Sequence, residues 1–370
     1  MIYKPFQSIS LSRLGMGNMR LPSTDPKDPN APIDHPEAHK VIARAYEHGI
    51  NYFDTAYVYN KGDSEVCLGE VMPRFPRDSY YLATKFNYRS NPDYKAVFEE
   101  QLRRLRTDRI DFYLLHCLLA GNIESYLSCG CIDYFLEQKE KGRISYLGFS
   151  NHAEPEVLER FADHHAWDFA QLELNYYDWI YGTAEKEYEI LAKRNIPVMV
   201  MEPVRGGLLA DLTPETNAIL KRAHPDWSIA SWAFRFVKGL PAVQVILSGM
   251  SDLAQVEDNA ATFSNEDSLC EEDRKLLFEV CEQFHAQVTV PCTGCRYCTE
   301  GCPANINIPG FLKLYNDYRV DGAYVLERID KVESEGRPAD CVGCGACTAS
   351  CPQGIDTPAI LRELAEKTKK

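Results

Sequence analysis

The sequence predicts an α/β fold, a (β/α)8 barrel of eight parallel strands, followed by a smaller, mainly helical domain rich in cysteine. Three observations predict it. Strand-like apolar segments alternate with helix-like amphipathic ones eight times within the first 265 residues, the order that builds a parallel sheet with crossover helices. Three successive strand segments end at Asp54, Lys85 and His116, and 31 residues separate each from the next, about one strand–helix unit. No glycine-rich phosphate turn stands where a doubly wound open sheet needs one. A closed barrel builds its active site at the C-terminal ends of its strands, so those three side chains would share one mouth.

Residues 2–12 alternate weakly and read as a short hairpin closing the bottom of the barrel. Residues 14–19 read as the first barrel strand, where Gly15 and Gly17 let a ligand approach the backbone. Residues 22–33, rich in Pro, Asp and Asn, form a loop. Asp34 and Glu37 have capping-box spacing for a helix over 36–48, which Gly49 ends. Strand 51–54 follows, then helix 64–71 and strand 80–84, which leads to Lys85. Helix 94–105 sets Val97, Phe98, Leu102 and Leu105 on one face. Strand 110–115 leads to His116 and an irregular loop, 117–129, long enough to shape substrate access. Helix 130–141 precedes strand 144–149, helix 154–164 precedes strand 169–174, and helix 184–194 precedes strand 197–201. Helices 213–223 and 227–238 precede the eighth strand, 242–247. We expect the barrel over 1–265, a connecting helix over 266–290 and the second domain over 291–370.

Composition narrows the function classes. The 370 residues are 45% hydrophobic, enough for a sizeable core. No apolar run approaches a membrane span, and the start has no signal-peptide architecture, so a cytoplasmic protein with no membrane partner is expected. Net charge is −14 with no Lys/Arg stripe, so no nucleic-acid partner is expected. Fourteen cysteines in such a chain argue for metal rather than disulfides, and eight of them fall between 292 and 351.

Asp54-Thr55-Ala56 with Tyr59, Lys85 after a strand and His116 after Leu114-Leu115 resemble the tetrad of the aldo/keto reductases, across roughly residues 8–265. These residue types suit carbonyl reduction, which places a hydride on carbon and a proton on oxygen. Tyr59 is the natural proton donor, but a free phenol has a pKa of about 10. The Lys85 ammonium would lower it, Asp54 would keep Lys85 charged and oriented, and His116 would hydrogen-bond the substrate oxygen. The resemblance implies the same roles, with NADPH or NADH as cofactor and a small carbonyl or alcohol as substrate. It also implies that Ser150, Asn151 and Gln171 hold the nicotinamide carboxamide. Glu202, Gly206 and Leu208 would belong to the loop crossing the pyrophosphate. Gly249, Asp258 and Asn259 would form the adenosine end, at a helix start suited to anions. The chain departs from the common pattern at Gln255, where an arginine often meets the 2′-phosphate. No Lys or Arg occurs in 249–259. Asp258 replaces a common glutamate, and Met201 stands where an aromatic often stacks on the nicotinamide.

The tail holds one motif twice. Cys292, Cys295, Cys298 and Cys302 recur as Cys341, Cys344, Cys347 and Cys351, each set as C-x2-C-x2-C-x3-C-P. This is the bacterial ferredoxin signature for [4Fe–4S] clusters, and zinc ribbons with isolated C-x2-C pairs do not share it. Three thiolates of one motif wrap one cluster and the fourth turns to the neighbouring cluster. Cys292, Cys295, Cys298 and Cys351 therefore go to one cluster, and Cys341, Cys344, Cys347 and Cys302 to the other. Of the remaining cysteines, Cys67, Cys270 and Cys281 read as packing residues. Two readings follow. One is a nicotinamide-dependent oxidoreductase whose iron–sulfur module is structural, redox-sensing or electron-transferring, with a ferredoxin-like redox partner. The alternative is a ferredoxin-type electron-transfer protein using the barrel as a docking or flavin-binding scaffold. Hydride moves two electrons and each cluster one, so coupling them usually needs a flavin.

Overall fold

Eight parallel strands close on themselves in the computed structural model, which describes residues 1–25, 31–292, 294, 296–351 and 353–369. A hairpin of β1 (Tyr3–Phe6) and β2 (Ile9–Ser12) comes first. β3 (Leu14–Gly17), β4 (Tyr52–Asp54), β5 (Tyr81–Phe86), β6 (Ile110–Leu118), β7 (Ile144–Asn151), β8 (Phe169–Glu173), β9 (Val198–Met201) and β10 (Val243–Ser248) then follow one another around the ring. β10 pairs back onto β3, and every neighbouring pair is parallel. This is the (β/α)8 TIM barrel that the alternation of strands and helices predicts. Phe6 and Leu11 of the hairpin share a buried cluster with Tyr52, Phe112, Phe169 and Val245. Those barrel residues lie in the N-terminal halves of their strands, so the hairpin closes that end and leaves the C-terminal ends for the site.

The helices form for reasons visible in their ends and faces. α1 (His35–Glu47) starts at Asp34, whose side chain accepts from the Glu37 N–H, and Pro36 sits in its first turn, where a missing N–H costs nothing. The capping box is half formed, because the Glu37 carboxylate is 2.6 Å from Lys40 Nζ instead. Gly49, at φ +86°, turns the chain out of the helix. α2 (Asp63–Val71) and α3 (Tyr94–Leu105) follow β4 and β5, and α3 buries Val97, Phe98, Leu102 and Leu105 as its periodicity predicts.

Two segments differ from expectation. β6 runs past His116 to Leu118, with a ladder irregularity between Leu115 and Leu118 and Cys117 at φ +60°. The expected irregular loop 117–129 is also partly helical, with α4 over Ile123–Ser128. Asn122 makes this turn locally: it accepts from Leu119 N–H and donates to Cys117 O. A helix of six residues leaves no periodic apolar trace. The same shortness hid a helix over Tyr176–Tyr181, capped by the Asn175 side chain.

By contacts the chain divides into two units, Met1–Val204 with Asp226–Arg274, and Arg205–Pro225 with Lys275–Lys370. The second has its own core, in which Ile306, Phe311, Leu314, Val325, Ile355 and Leu361 are buried together. Cys67 and Cys281 are buried as expected. Cys270 is exposed instead, and its Sγ accepts from the Asp273 N–H at 3.4 Å, which makes it a cap rather than a packing residue.

Candidate active site

The polar ends of β4 and β5 meet at Lys85. Its side chain is fully buried, and Nζ lies 2.5 Å from Asp54 Oδ1, 2.7 Å from Thr55 O and 3.3 Å from Tyr59 Oη. An ammonium has three N–H donors, and all three have acceptors here. Gln171 of β8 donates to the second Asp54 oxygen at 3.2 Å. Tyr59 opens a 3-10 turn, Tyr59–Gly62, in which Asn60 and Lys61 take φ of +50° and +59°. That costly backbone aims the phenol at Lys85. The His116 ring stands edge-on to Tyr59, with centroids 5.6 Å apart.

Burial sets the protonation states. Burial alone would discharge Lys85, but Asp54 and then Tyr59 outweigh it and raise its pKa, so the ammonium persists. Tyr59 departs from the sequence expectation. Lys85 does pull its pKa down, but burial outweighs that pull and raises it. The phenol therefore stays protonated through neutral pH. Burial, then the charges of Lys85 and His152, hold His116 well below its ordinary pKa. The ring is neutral and carries one N–H.

A second layer supports Lys85 from behind and escaped sequence reading. Gln101 of α3 donates to Lys85 O at 3.0 Å and to Glu65 Oε1 at 2.9 Å, and accepts from Tyr113 Oη at 2.6 Å. Thr84 Oγ1 and Arg104 Nη1 donate to the same buried Glu65 carboxylate at 2.6 and 3.1 Å. The signal was Gln101 itself, a polar side chain on the apolar face of α3.

In the second unit the cysteines gather in two sets. Cys302, Cys341, Cys344 and Cys347 line one cavity. Cys292, Cys298 and Cys351 line another, and Cys295 lies outside the described residues. Each cavity thus takes a cysteine from the other motif. The two halves match beyond the cysteines. Gly294 and Gly343 have φ of +69° and +70°, and Arg296 and Gly345 +66° and +73°, the left-handed turns that let each short loop fold round on itself. Asn307 and Asp356 then cap the next helices, Ile308–Asp321 and Thr357–Lys367. Among the described residues, Cys292, Cys302, Cys341, Cys344, Cys347 and Cys351 are not in disulfides. Thiols converging on apolar cavities fit iron–sulfur clusters.

Comparison with known proteins agrees with this geometry. The aldo/keto reductase family matches residues 13–277, well over half of the chain. The chain belongs to that family. A 4Fe-4S dicluster domain matches residues 291–355. The uncharacterized oxidoreductase YqkF of Bacillus subtilis is 27% identical over 302 residues, 73% of this chain and 92% of that protein. The NADH-specific methylglyoxal reductase of Escherichia coli is 27% identical over 222 residues, 54% of this chain and 66% of that protein. Among solved structures, the holo form of an aldo-keto reductase from Bacillus halodurans aligns with a TM-score of 0.62 at 24% identity, covering 76% of this chain and 96% of that one. One from Brucella melitensis aligns at 0.58 and 20% identity, covering 75% and 97%. At those identities the likeness shows the fold.

In this aldo/keto reductase the remaining candidate residues lie as follows. Ser150 and Gln171 are register partners on β7 and β8. Ser150 Oγ accepts from the Cys117 N–H at 2.8 Å. Asn151 folds its amide back onto Ala153 O and Glu187 Oε2, at 2.9 and 3.2 Å. Glu202 follows β9 at φ +53°. Asp258 and Asn259 lie on the helix Leu253–Thr262, and Asn259 ties it to Ser248 Oγ at 3.0 Å. Gly206 (φ +65°) and Leu208 belong to the second unit, where the neighbouring Arg205 is paired with Asp321 at 2.6 Å. Among the described residues, Asn18 Oδ1 and His116 Nδ1 are buried without a hydrogen-bond partner. Asn18 Nδ2 donates to Asp54 O, so it lies beside the tetrad, and a bound polar group would satisfy such atoms. Sequence reading also missed Arg20. Its carbonyl accepts from Ser251 Oγ at 2.7 Å, and its side chain runs along Gly249, where an added Cβ would stand 3.4 Å from Arg20 Cβ. That side chain, from the far end of the chain, thus passes the segment and ends 3.7 Å from Glu202 Oε1.

Proposed function

We propose that this enzyme reduces a small aldehyde or ketone with NADH or NADPH, or runs the reverse alcohol oxidation, with Tyr59 as the proton donor. The observation that carries this reading is Lys85, whose buried ammonium joins Asp54 to Tyr59 at the C-terminal end of the strands. The nicotinamide, when bound, supplies the hydride. Tyr59 gives its Oη proton to the substrate oxygen, and Lys85 at 3.3 Å stabilises the phenolate left behind. Asp54 keeps Lys85 charged in a buried place, and neutral His116 donates a hydrogen bond to the same substrate oxygen and fixes its approach. Ser150, Asn151 and Gln171 would take the carboxamide, and Gly249, Asp258 and Asn259 the adenosine end. The raised Tyr59 pKa gives the pH sign. Reduction needs the protonated phenol, so its rate should hold through neutral pH and fall only above the ordinary phenol range near 10.

The C-terminal domain would hold two [4Fe–4S] clusters, one on Cys292, Cys295, Cys298 and Cys351, the other on Cys302, Cys341, Cys344 and Cys347. Val342, on the wall of the Cys302 cavity, is 71% exposed. That cluster would then be reachable by a ferredoxin-like partner. Hydride transfer needs no one-electron carrier, so carbonyl reduction should proceed with the clusters in either redox state.

Anaerobic oxidation of NADH by small carbonyls tests the reading, and methylglyoxal, which names the Escherichia coli relative, is the first to try. Cofactor choice is a separate expectation. With no Lys or Arg in 249–259, NADPH should be preferred over NADH by less than about 10²-fold in kcat/KM, or about 2.7 kcal/mol, since a 2′-phosphate wants a charged partner. A larger preference that Arg20→Ala abolishes would identify Arg20 as that partner.

A further inference from the structure

Away from the tetrad, α1 and α2 bring two histidines, a cysteine and two carboxylates together. His35 and His39 stand one turn apart on α1, and Asp63, Cys67 and Glu70 line one face of α2, since residues three and four apart share a face. One ligand atom each from His35, His39 and Cys67 lies within 4.8 Å of the others. Glu70 Oε2 sits between the two rings, 2.8 Å from His35 Nδ1 and 3.2 Å from His39 Nε2. The other His35 nitrogen, Nε2, faces Asp63 Oδ2 at 3.1 Å.

Two features of this cluster call for a cation. Both ring nitrogens of His35 face carboxylate oxygens, yet a neutral imidazole has one N–H. One of the two contacts then opposes lone pairs unless positive charge lies there, carried by a second ring proton or by an ion. In addition, His39 Nε2 is buried and faces the same Glu70 oxygen at 3.2 Å. One carboxylate oxygen thus meets a ring nitrogen of each histidine, as ligands gathered round one ion do.

We propose that His35 Nδ1, His39 Nε2, Cys67 Sγ and Glu70 Oε2 bind one zinc-type divalent cation, with Asp63 orienting His35 through Nε2. Two imidazoles, a thiolate and a carboxylate make a tetrahedral zinc set. Asp63 then plays the carboxylate that fixes the tautomer of a metal-bound histidine. Zinc bonds of about 2.0–2.3 Å place ligand atoms roughly 3.3–3.8 Å apart, so the His35, His39 and Cys67 atoms, within 4.8 Å of one another, draw together on binding. The side chains of His35, His39 and Glu70 are 27%, 19% and 29% exposed, which leaves room to move and a way in for the ion. Cys67 releases its proton to solvent as the Zn–S bond forms, and thiolate and carboxylate together neutralise the ion. His39 Nδ1 must then carry the ring N–H and give up its 3.4 Å contact with Arg74 Nη2, a weak and exposed one. The ion ties α1 to α2, which begins where the Tyr59–Gly62 turn ends, and so steadies the turn that carries Tyr59.

The test uses the full-length protein with its iron in place, incubated with zinc chloride and passed through a desalting column. We expect about one zinc per chain besides the iron, a zinc K-edge spectrum with one sulfur and three nitrogen or oxygen neighbours, and a Tm raised by several degrees. His39→Gln, a partly exposed position, should lose the zinc and the Tm gain while iron content is unchanged. Asp63→Asn should weaken zinc about 10–100-fold. No retained zinc, zinc with sulfur ligands only, or zinc retained equally by His39→Gln would each overturn the proposal. The first would leave His35 as a protonated histidine paired with two carboxylates.

Discussion

Replacing Tyr59 with Phe should cut carbonyl reduction by at least about 10²-fold, the usual contribution of a positioned acid, while nicotinamide binding survives. The substitution removes one oxygen and little volume. Among the described residues that oxygen bonds to Lys85, at 3.3 Å, and Lys85 keeps Asp54 and Thr55 as partners. Loss of rate with an intact fold would therefore report chemistry rather than collapse. Steady-state rates with one carbonyl, beside fluorescence titration of NADH, separate the two. Unchanged turnover would remove Tyr59 from the mechanism.

Replacing Cys302 with Ala should cost the C-terminal domain one cluster, so that iron falls from about eight to about four per chain. The reason is the crossed arrangement of the two cavities. Cys302 comes from the first motif, yet it lines the cavity of Cys341, Cys344 and Cys347. The cluster lost should be the one held by the second motif, and alanine at Cys341 should lose the same one. Iron analysis with electron paramagnetic resonance of the reduced protein reads this directly. Two variants that lose different clusters would contradict the crossing, and a preparation with zinc in both cavities and no iron would end the assignment.

The barrel was legible because its signals are local and repeated. Each strand is a short apolar run with a helix after it, and the equal spacing of Asp54, Lys85 and His116 is the period of the unit itself. The dicluster domain was legible for the same reason, since its cysteine motif occurs twice with one spacing. What escaped was held by single side chains across long separations. Arg20 meets Gly249 and Ser251 from the other end of the chain, and no pattern links them. Gln101 supports Lys85 through its backbone, which no side-chain pattern records. The Tyr59 pKa went against expectation because a sequence shows which charges neighbour the phenol but not how deeply it is buried. The helix Ile123–Ser128 is too short for its periodicity to show, and Asn122 forms its entry with two hydrogen bonds.

Direct transfer of hydrogen from the nicotinamide to the substrate carbon is the measurement that bears most directly on the central claim. The enzyme would be given NADH deuterated at the transferable position of the nicotinamide ring and a small aldehyde, anaerobically in ordinary water, and the alcohol examined by mass spectrometry and NMR. The expected result is deuterium on the carbinol carbon of the product, with Tyr59→Phe giving the same labelled product more slowly. An alcohol carrying solvent hydrogen there would mean that electrons pass through a flavin or the clusters, and would contradict hydride transfer in the barrel.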